Sequence, residues 1–337
     1  ANVTCLNNNC GVVTGLARYN DSTSNVANKS IRFGRNIKPL FIKYESNNLS
    51  QQLLSYEVSL GGSDRVDGVA VDSQDNIIVV GTAGNVDSDW NVTKLNSNGN
   101  LLWSYEVNLG GADFANDVAV DSQGNIIFVG KAGAGDDWNV TKLDSNGNQL
   151  WSYVANLGGV DRANGVVVDS QNNIIVVGQA SNTNGDWNVT KLNGANGNQL
   201  WSYEVNLGGT DQANGVAVDS QDNIIVVGIA GNTDDDWNVT KLNSNGNLLW
   251  SYEVNLGGAD FANDVAVDSQ GNIIFVGKAG AGDDWNVTKL DSNGNQLWSY
   301  VANLGATDRA NGVVVDSQNN IIVVGTAGNV DSDWNVT

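Results

Sequence analysis

Residues 103–150 read WSYEVNLGGADFANDVAVDSQGNIIFVGKAGAGDDWNVTKLDSNGNQL, and residues 250–297 repeat all 48 positions without a change. The same pattern recurs around them: units begin at Leu54, Trp103, Trp151, Trp201, Trp250 and Trp298, spaced 48 to 50 residues apart. The identical pair lies three units apart, so the array grew by copying a three-unit block. A period of this size denotes a solenoid, a propeller or a string of small domains. Strand content decides among them.

Each unit reads as four short strands. Gly68-Val69-Ala70-Val71 ends at the turn Asp72-Ser73, and Asn76-Ile77-Ile78-Val79-Val80 ends at Gly81. A loop rich in Gly and Asp leads to Trp90–Leu95. Asn98-Gly99 then predicts a two-residue type I′ hairpin, with Leu101–Val107 as the fourth strand. No apolar 3.6-residue period is present. The second strand is apolar on both faces, so it needs cover on both sides. Stacked propeller blades supply that cover and a lone four-stranded sheet does not. The predicted fold class is all-β, a β-propeller of four-stranded blades.

The blade count turns on residues 1–53. Residues 54–337 hold six near-identical repeats, while 1–53 read as a divergent N-terminal blade and closing strand of a single propeller spanning 1–337. Gly15–Arg18 matches Gly68–Val71, Ser30–Gly34 matches the run ending at Gly81, and Phe41–Tyr44 matches Val92–Leu95. The sequence stops at Trp334–Thr337, inside a third strand, and the first ten residues suit the missing fourth. Seven blades, closed by that N-terminal strand, is the favoured count. Six blades with an N-terminal arm is the alternative.

The units resemble the SBBP repeat of bacterial and archaeal extracellular proteins, through LGGADFANDVAVDSQGNIIFVG followed by WNVTKLDSNGNQLW. The resemblance covers 54–337 well and 1–53 poorly. It implies a propeller of the cell envelope or exterior and carries no catalytic residue to transfer. The Trp before Asn-Val-Thr departs from the smaller residue expected there, which suggests tighter packing between blades.

Composition narrows the function. Sixteen Lys and Arg against 37 Asp and Glu give a net charge of −21, which argues against a nucleic-acid backbone binder. No stretch approaches the roughly 20 apolar residues of a membrane span. Cys5 and Cys10, the only cysteines, lack the partners of a zinc site and read as a short hairpin disulfide, which favours a secreted or cell-surface protein. The absence of methionine is consistent with a processed N-terminus. Ten sequons make Asn2, Asn20, Asn28, Asn48, Asn91, Asn139, Asn188, Asn238, Asn286 and Asn335 candidate glycan acceptors, or simply strand-surface residues.

Aspartates cluster between the second and third strands. Asp87, Asp89, Asp234, Asp235 and Asp236 form the candidate calcium set, weighed against plain solvated turn residues. Apart from calcium, no cofactor is expected. Asp72 and its counterparts read as Asx turns. Asp64, Asp113, Asp161, Asp211, Asp260 and Asp308 read as ordering the crossing between blades. Lys94 is expected opposite Trp103, as a cation–π partner or an aliphatic cover. The eleven tryptophans read as core or blade-interface residues in preference to sugar platforms.

Zero histidine excludes a Ser-His-Asp or Cys-His centre. Repeated acids do not supply two differentiated carboxylates. The expectation is therefore no enzyme. Residues 1–60 carry net +3 against −24 for the rest, a self-complementary pair. From this follows the expectation of a non-enzymatic extracellular structural protein, a surface-layer, sheath or filament subunit that self-associates through its N-terminal segment. The alternative is a multivalent adhesin whose repeated loops grip glycan or a surface protein.

Overall fold

The computed structural model describes residues 64–328, except the loop positions 84–88, 109, 134, 136, 181–184, 207, 232–234, 281, 283 and 304–307, and gives the backbone of strands outside that range. Among the described residues every regular element is a β-strand. The first sheet contains β1 (Gly11–Val12), β3 (Lys29–Phe33), β4 (Leu40–Glu45) and β5 (Asn48–Glu57), while β2 (Ala17–Arg18) joins the next sheet. The regular sheets follow: β6 (Arg65–Val71), β7 (Ile77–Ala83), β8 (Asp89–Leu95) and β9 (Leu101–Val107); then β10 (Phe114–Val120), β11 (Ile126–Ala132), β12 (Asp137–Leu143) and β13 (Gln149–Ala155). After them come β14 (Arg162–Val168), β15 (Ile174–Ala180), β16 (Asp186–Leu192) and β17 (Gln199–Val205), and β18 (Gln212–Val218), β19 (Ile224–Ala230), β20 (Asp236–Leu242) and β21 (Leu248–Val254). The last are β22 (Phe261–Val267), β23 (Ile273–Ala279), β24 (Asp284–Leu290) and β25 (Gln296–Ala302), with β26 (Arg309–Val315), β27 (Ile321–Ala327) and β28 (Asp333–Val336). Each regular sheet is an antiparallel meander in chain order. Two compact units result, Ala1–Val154 and Ala155–Thr337.

Burial follows the sequence pattern. In the second unit β19 is buried along its whole length and β20 likewise, while β21 alternates between exposed and half-buried positions. Trp237 is fully buried, its ring edge-on to Phe275 of the next sheet at 5.2 Å, and its Nε1 donates to the Lys278 carbonyl at 2.9 Å. Trp90 does the same in the first unit, against Phe128 and the Lys131 carbonyl. The strand-three tryptophans are therefore inter-sheet bolts, satisfied at their one polar atom.

Each regular inner hairpin carries a bulge. In β18 it falls between Ala213 and Gly215, and Ala213 pairs with Gly228. A Cβ built on Gly228 would lie 2.0 Å from the Gln212 carbonyl oxygen. The same close approach recurs at Gly81, Gly130, Gly178, Gly277 and Gly325, which explains the glycine closing every second-strand run.

Two readings of local structure change. Ala17–Arg18, expected as the inner strand of the first unit, pairs parallel to β6 (Ala17↔Val69), and Gly11–Val12 takes the place beside β3. Ten residues separate Arg18 from Lys29, against five between β6 and β7, so no short turn ties that strand into hairpin register. The Asn98-Gly99 turn is a three-residue loop. Gly99 N–H donates to the Asn96 carbonyl at 2.8 Å, and only Gly99 adopts positive φ, 83°. A register shift between Lys94 and Leu95 nevertheless restores the expected Lys94↔Trp103 pairing.

Candidate functional site

The repeat uses its charges inward. Lys241 on β20 is buried, and its Nζ lies 3.0 Å from Asp219 Oδ2 and donates to the Ser292 carbonyl of the next sheet at 3.1 Å. Trp250 Nε1 donates to that same carbonyl at 3.3 Å. In the first unit Lys94, Asp72, Trp103 and the Ser145 carbonyl repeat the arrangement. Lys142–Asp121, Lys191–Asp169 and Lys289–Asp268 form further buried pairs at 2.8 Å. The ammonium, expected either over an indole or at the end of an aliphatic cover, pairs with a carboxylate, and those of Lys94, Lys191 and Lys241 also donate to a carbonyl of the next sheet. Asp219 also builds the expected Asx turn, its Oδ1 accepting from the Gln221 and Asn223 amides at 2.9 Å.

Burial alone would push the Asp219 carboxyl up, but Asn223, Lys241 and the turn amides outweigh it and hold the group below its ordinary 3.8. Asp72, Asp121 and Asp268 are lowered in the same way. A depressed carboxylate stabilises the fold above its unfolded pKa, and that contribution disappears as pH falls through the folded value. The contribution of these turns to the urea midpoint is therefore expected to be level from pH 7 to about 5 and to be lost below about pH 4 as they protonate. A midpoint independent of pH down to about 2 would contradict this assignment.

Asp67 behaves oppositely. It occupies the β6 bulge, where burial pushes it to about 6 against the opposing pull of Arg65. The folded state then holds a proton that the unfolded chain releases, so stability falls as pH rises from about 4 through 6. Asp67→Asn is expected to raise stability at pH 7.5 by roughly 3 kcal/mol, since the rise from 3.8 to about 6 spans a little over two tenfold steps in proton affinity, each worth about 1.4 kcal/mol. It should change little at pH 3.5. Urea titrations at the two pH values check the sign.

Asp113, Asp161, Asp211, Asp260 and Asp308 are fully buried. Asp260 accepts from the Gly280 amide at 2.5 Å and the Leu256 amide at 2.8 Å, tying the crossing segment to the loop before β24. Desolvation, opposed by those amides and aided by the nearby Asp236 charge, raises its pKa. This is the ordering role expected for that set.

The candidate metal residues are described only in part. Asp87 and Asp234 lie outside the described residues, Asp235 has a positive φ of 57°, and Asp89 and Asp236 are buried at strand starts. Asn255 Nδ2 donates to Asp236 Oδ2 at 3.3 Å. Among the described residues no three acids, cysteines or histidines are gathered in a way that could hold a metal ion. Of the sequons, Asn91, Asn139, Asn188, Asn238 and Asn286 are buried in mid-strand, each Oδ1 accepting from the Thr hydroxyl two residues on. A folded blade leaves no space there for a glycan. Of Asn48 and Asn335 only the strand backbone is described; Cys5, Cys10, Asn2, Asn20 and Asn28 lie outside the described residues.

What the sheets ending in β9, β17 and β21 offer is their fourth strand. β9, β17 and β21 end their sheets with one edge open, and Leu101, Leu102, Leu200, Leu248 and Leu249 stand about half exposed. An exposed strand edge flanked by apolar side chains is a template for an added strand. Sequence reading passed over this feature because the strands alternate too weakly to show which face is covered.

The PQQ_2 family, described as outer membrane protein assembly factor BamB, matches residues 56–232, more than half of the chain. The chain belongs to this family. No curated protein matches this BamB-type chain in sequence. Among solved structures it is similar to Chaetomium thermophilum Sqt1 bound to the N-terminus of ribosomal protein L10, at 13% identity over 88% of this chain and 78% of that one, TM-score 0.61. It is similar to the Neurospora crassa Pan2 WD40 domain at 12% identity, over 98% and 87%, TM-score 0.60. It also resembles the quinohemoprotein alcohol dehydrogenase ADHIIG of Pseudomonas putida HK5, at 9% identity over 89% of this chain and 61% of that one, TM-score 0.53. At such identities these likenesses establish the fold, that of a β-propeller repeat protein.

The family match corrects two expectations. The SBBP resemblance gives way to the PQQ-type repeat. The shared G-N-I-I-x-V-G pattern reflects the Asx turn and the glycine facing the bulge, constraints of the blade that do not single out one lineage. The reading as a surface-layer or filament subunit, with its adhesin alternative, is overturned by membership of an assembly-factor family. Near-identical copies record duplication of a blade and do not require the molecule to polymerise.

Proposed function

We propose that this chain is a non-catalytic docking scaffold in outer membrane protein assembly, presenting its fourth-strand edges to extended segments of partner polypeptides. The family match over residues 56–232 carries the reading. The half-exposed leucines along those edges supply the chemistry. The lack of histidine and the commitment of the repeated aspartates to turns and buried pairs support a role without catalysis. In this reading each of the seven sheets is one blade, and the three-stranded β26–β28 sheet is completed by the N-terminal strand. The protein works outside the cytosol, with Cys5 and Cys10 joined.

Deleting the gene in its own host is expected to lower the amount of folded outer membrane protein, measured by heat-modifiable migration on gels. Wild-type protein should restore it. The triple variant Leu102→Glu, Leu200→Glu, Leu249→Glu should fold with an unchanged melting temperature and fail to restore it. Unchanged outer membrane protein after deletion would refute the proposal.

A further inference from the structure

Of the sixteen Lys and Arg, six precede residue 54 and five form the buried pairs with aspartate. The remaining five, Arg65, Lys131, Arg162, Lys278 and Arg309, all lie at one end of the inner hairpins. Arg65, Arg162 and Arg309 open inner strands, and Lys131 and Lys278 face Phe114 and Phe261 in register. So regular a placement in an acidic chain calls for a cause.

In the second unit these strand starts are held side by side. Asn164, Asn214 and Asn263 each donate through Nδ2 to the next inner strand, at the Ala213, Ala262 and Ala310 carbonyls, over 2.7–2.9 Å. Those bonds set Arg162, Gln212, Phe261 and Arg309 in a row. Arg309 Cζ lies 5.9 Å and Lys278 Nζ 5.1 Å from the Phe261 ring centre. A cation over a ring keeps its N–H edge available.

The first unit shows what that edge takes. Arg65 lies 5.5 Å over Phe114 of the following sheet, where Arg309 reaches back to Phe261 of the preceding one, and its Nε pairs with Asp67 at 2.7 Å. At the position of Asp67 the other arginine-led strands carry Asn164 and Asn311. Arg162 and Arg309 thus keep the guanidinium and lack the internal acid. Both are exposed, and among the described residues neither side chain has a hydrogen bond or ion pair. The acids just before them do not compensate: Asp161 and Asp308 are fully buried and accept backbone amides, from Leu157 and Gly328 at 2.6 Å.

We infer that Arg309 over Phe261, and Arg162 beside Gln212, bind a carboxylate supplied from outside the chain, reproducing in trans the Arg65–Asp67 pair. The guanidinium fork matches a carboxylate in two parallel hydrogen bonds, and Phe261 offers apolar support to the carbon that bears it. This site stands independently of the edge-strand docking proposed above.

Arginine Nε–H resonances of the whole chain, followed by NMR at low ionic strength, test it. Glutarate serves as a free acid and an eight-residue Glu–Gly peptide as a polypeptide source of the same group. The Arg162 and Arg309 signals, assigned through Arg162→Gln and Arg309→Gln, are expected to shift saturably with at least one probe while Arg65 stays in place. A response to glutarate alone marks a small-acid site, and one to the peptide alone marks acidic side chains as the source. Asp67→Asn should make Arg65 respond as well. The assignment is overturned if neither signal moves by about 50 mM probe, if sodium chloride at equal ionic strength moves them equally, or if inorganic phosphate binds as tightly as both carboxylates.

Discussion

Gly228→Ala is expected to cost at least about 3 kcal/mol, in the range reserved for core steric conflict. A methyl there lies 2.0 Å from the Gln212 carbonyl oxygen and 2.9 Å from the Ala213 Cα. Both are backbone atoms of the bulge, so no rotamer change relieves the overlap. The inner hairpin must open instead, releasing the Asn214–Ala262 bond to the next sheet. Gly257→Ala is the matched control. It has positive φ, 82°, but nothing within 4 Å of the added carbon, so only backbone strain of roughly 1–2 kcal/mol applies. Equal urea midpoints for the two variants would show that the bulge yields easily and would remove the explanation for the repeated glycine.

Lys241→Met is the second large effect, expected near 3–5 kcal/mol at pH 7 because it strands a buried carboxylate. Asp219 then keeps its turn amides and Asn223 but loses the ammonium at 3.0 Å, and the Ser292 carbonyl keeps only Trp250. Two comparisons separate this from lost packing. Adding Asp219→Asn should recover part of the loss, since the amide still accepts from the turn and carries no charge. Lowering the pH to about 4 should shrink the deficit of the single variant, because an unpaired buried acid titrates upward and protonates more readily in the folded state. A deficit equal at both pH values, and unchanged by the second substitution, would assign the loss to packing alone.

Several features were legible from residue order. Ile77–Val80 required cover on both faces, and the Asp72 and Asp260 sets were read as turn and crossing ties, as the hydrogen bonds show. The buried lysine clasp was not, because its carboxylate lies 22 residues upstream and its carbonyl 51 residues downstream in another sheet. Local pairing placed Lys94 opposite Trp103 correctly and left open what the ammonium meets. The hairpin at Asn98-Gly99 differed for a smaller reason: one extra loop residue is absorbed by a bulge, which residue preferences do not distinguish from a two-residue turn.

The order of amino acids alone established the period, the four-strand unit and where its turns fall, because those depend on local backbone geometry and on which strands must be buried. Tertiary structure alone decided which charges are consumed and which stay open. Asp219 and Lys241, or Arg65 and Asp67, neutralise each other only once strands meet, and Arg162 and Arg309 stand out only because the same meeting leaves them an asparagine. Electrostatic pairing depends on distance through space, and a repeat that looks uniform along the chain can differ at that distance by one side-chain atom.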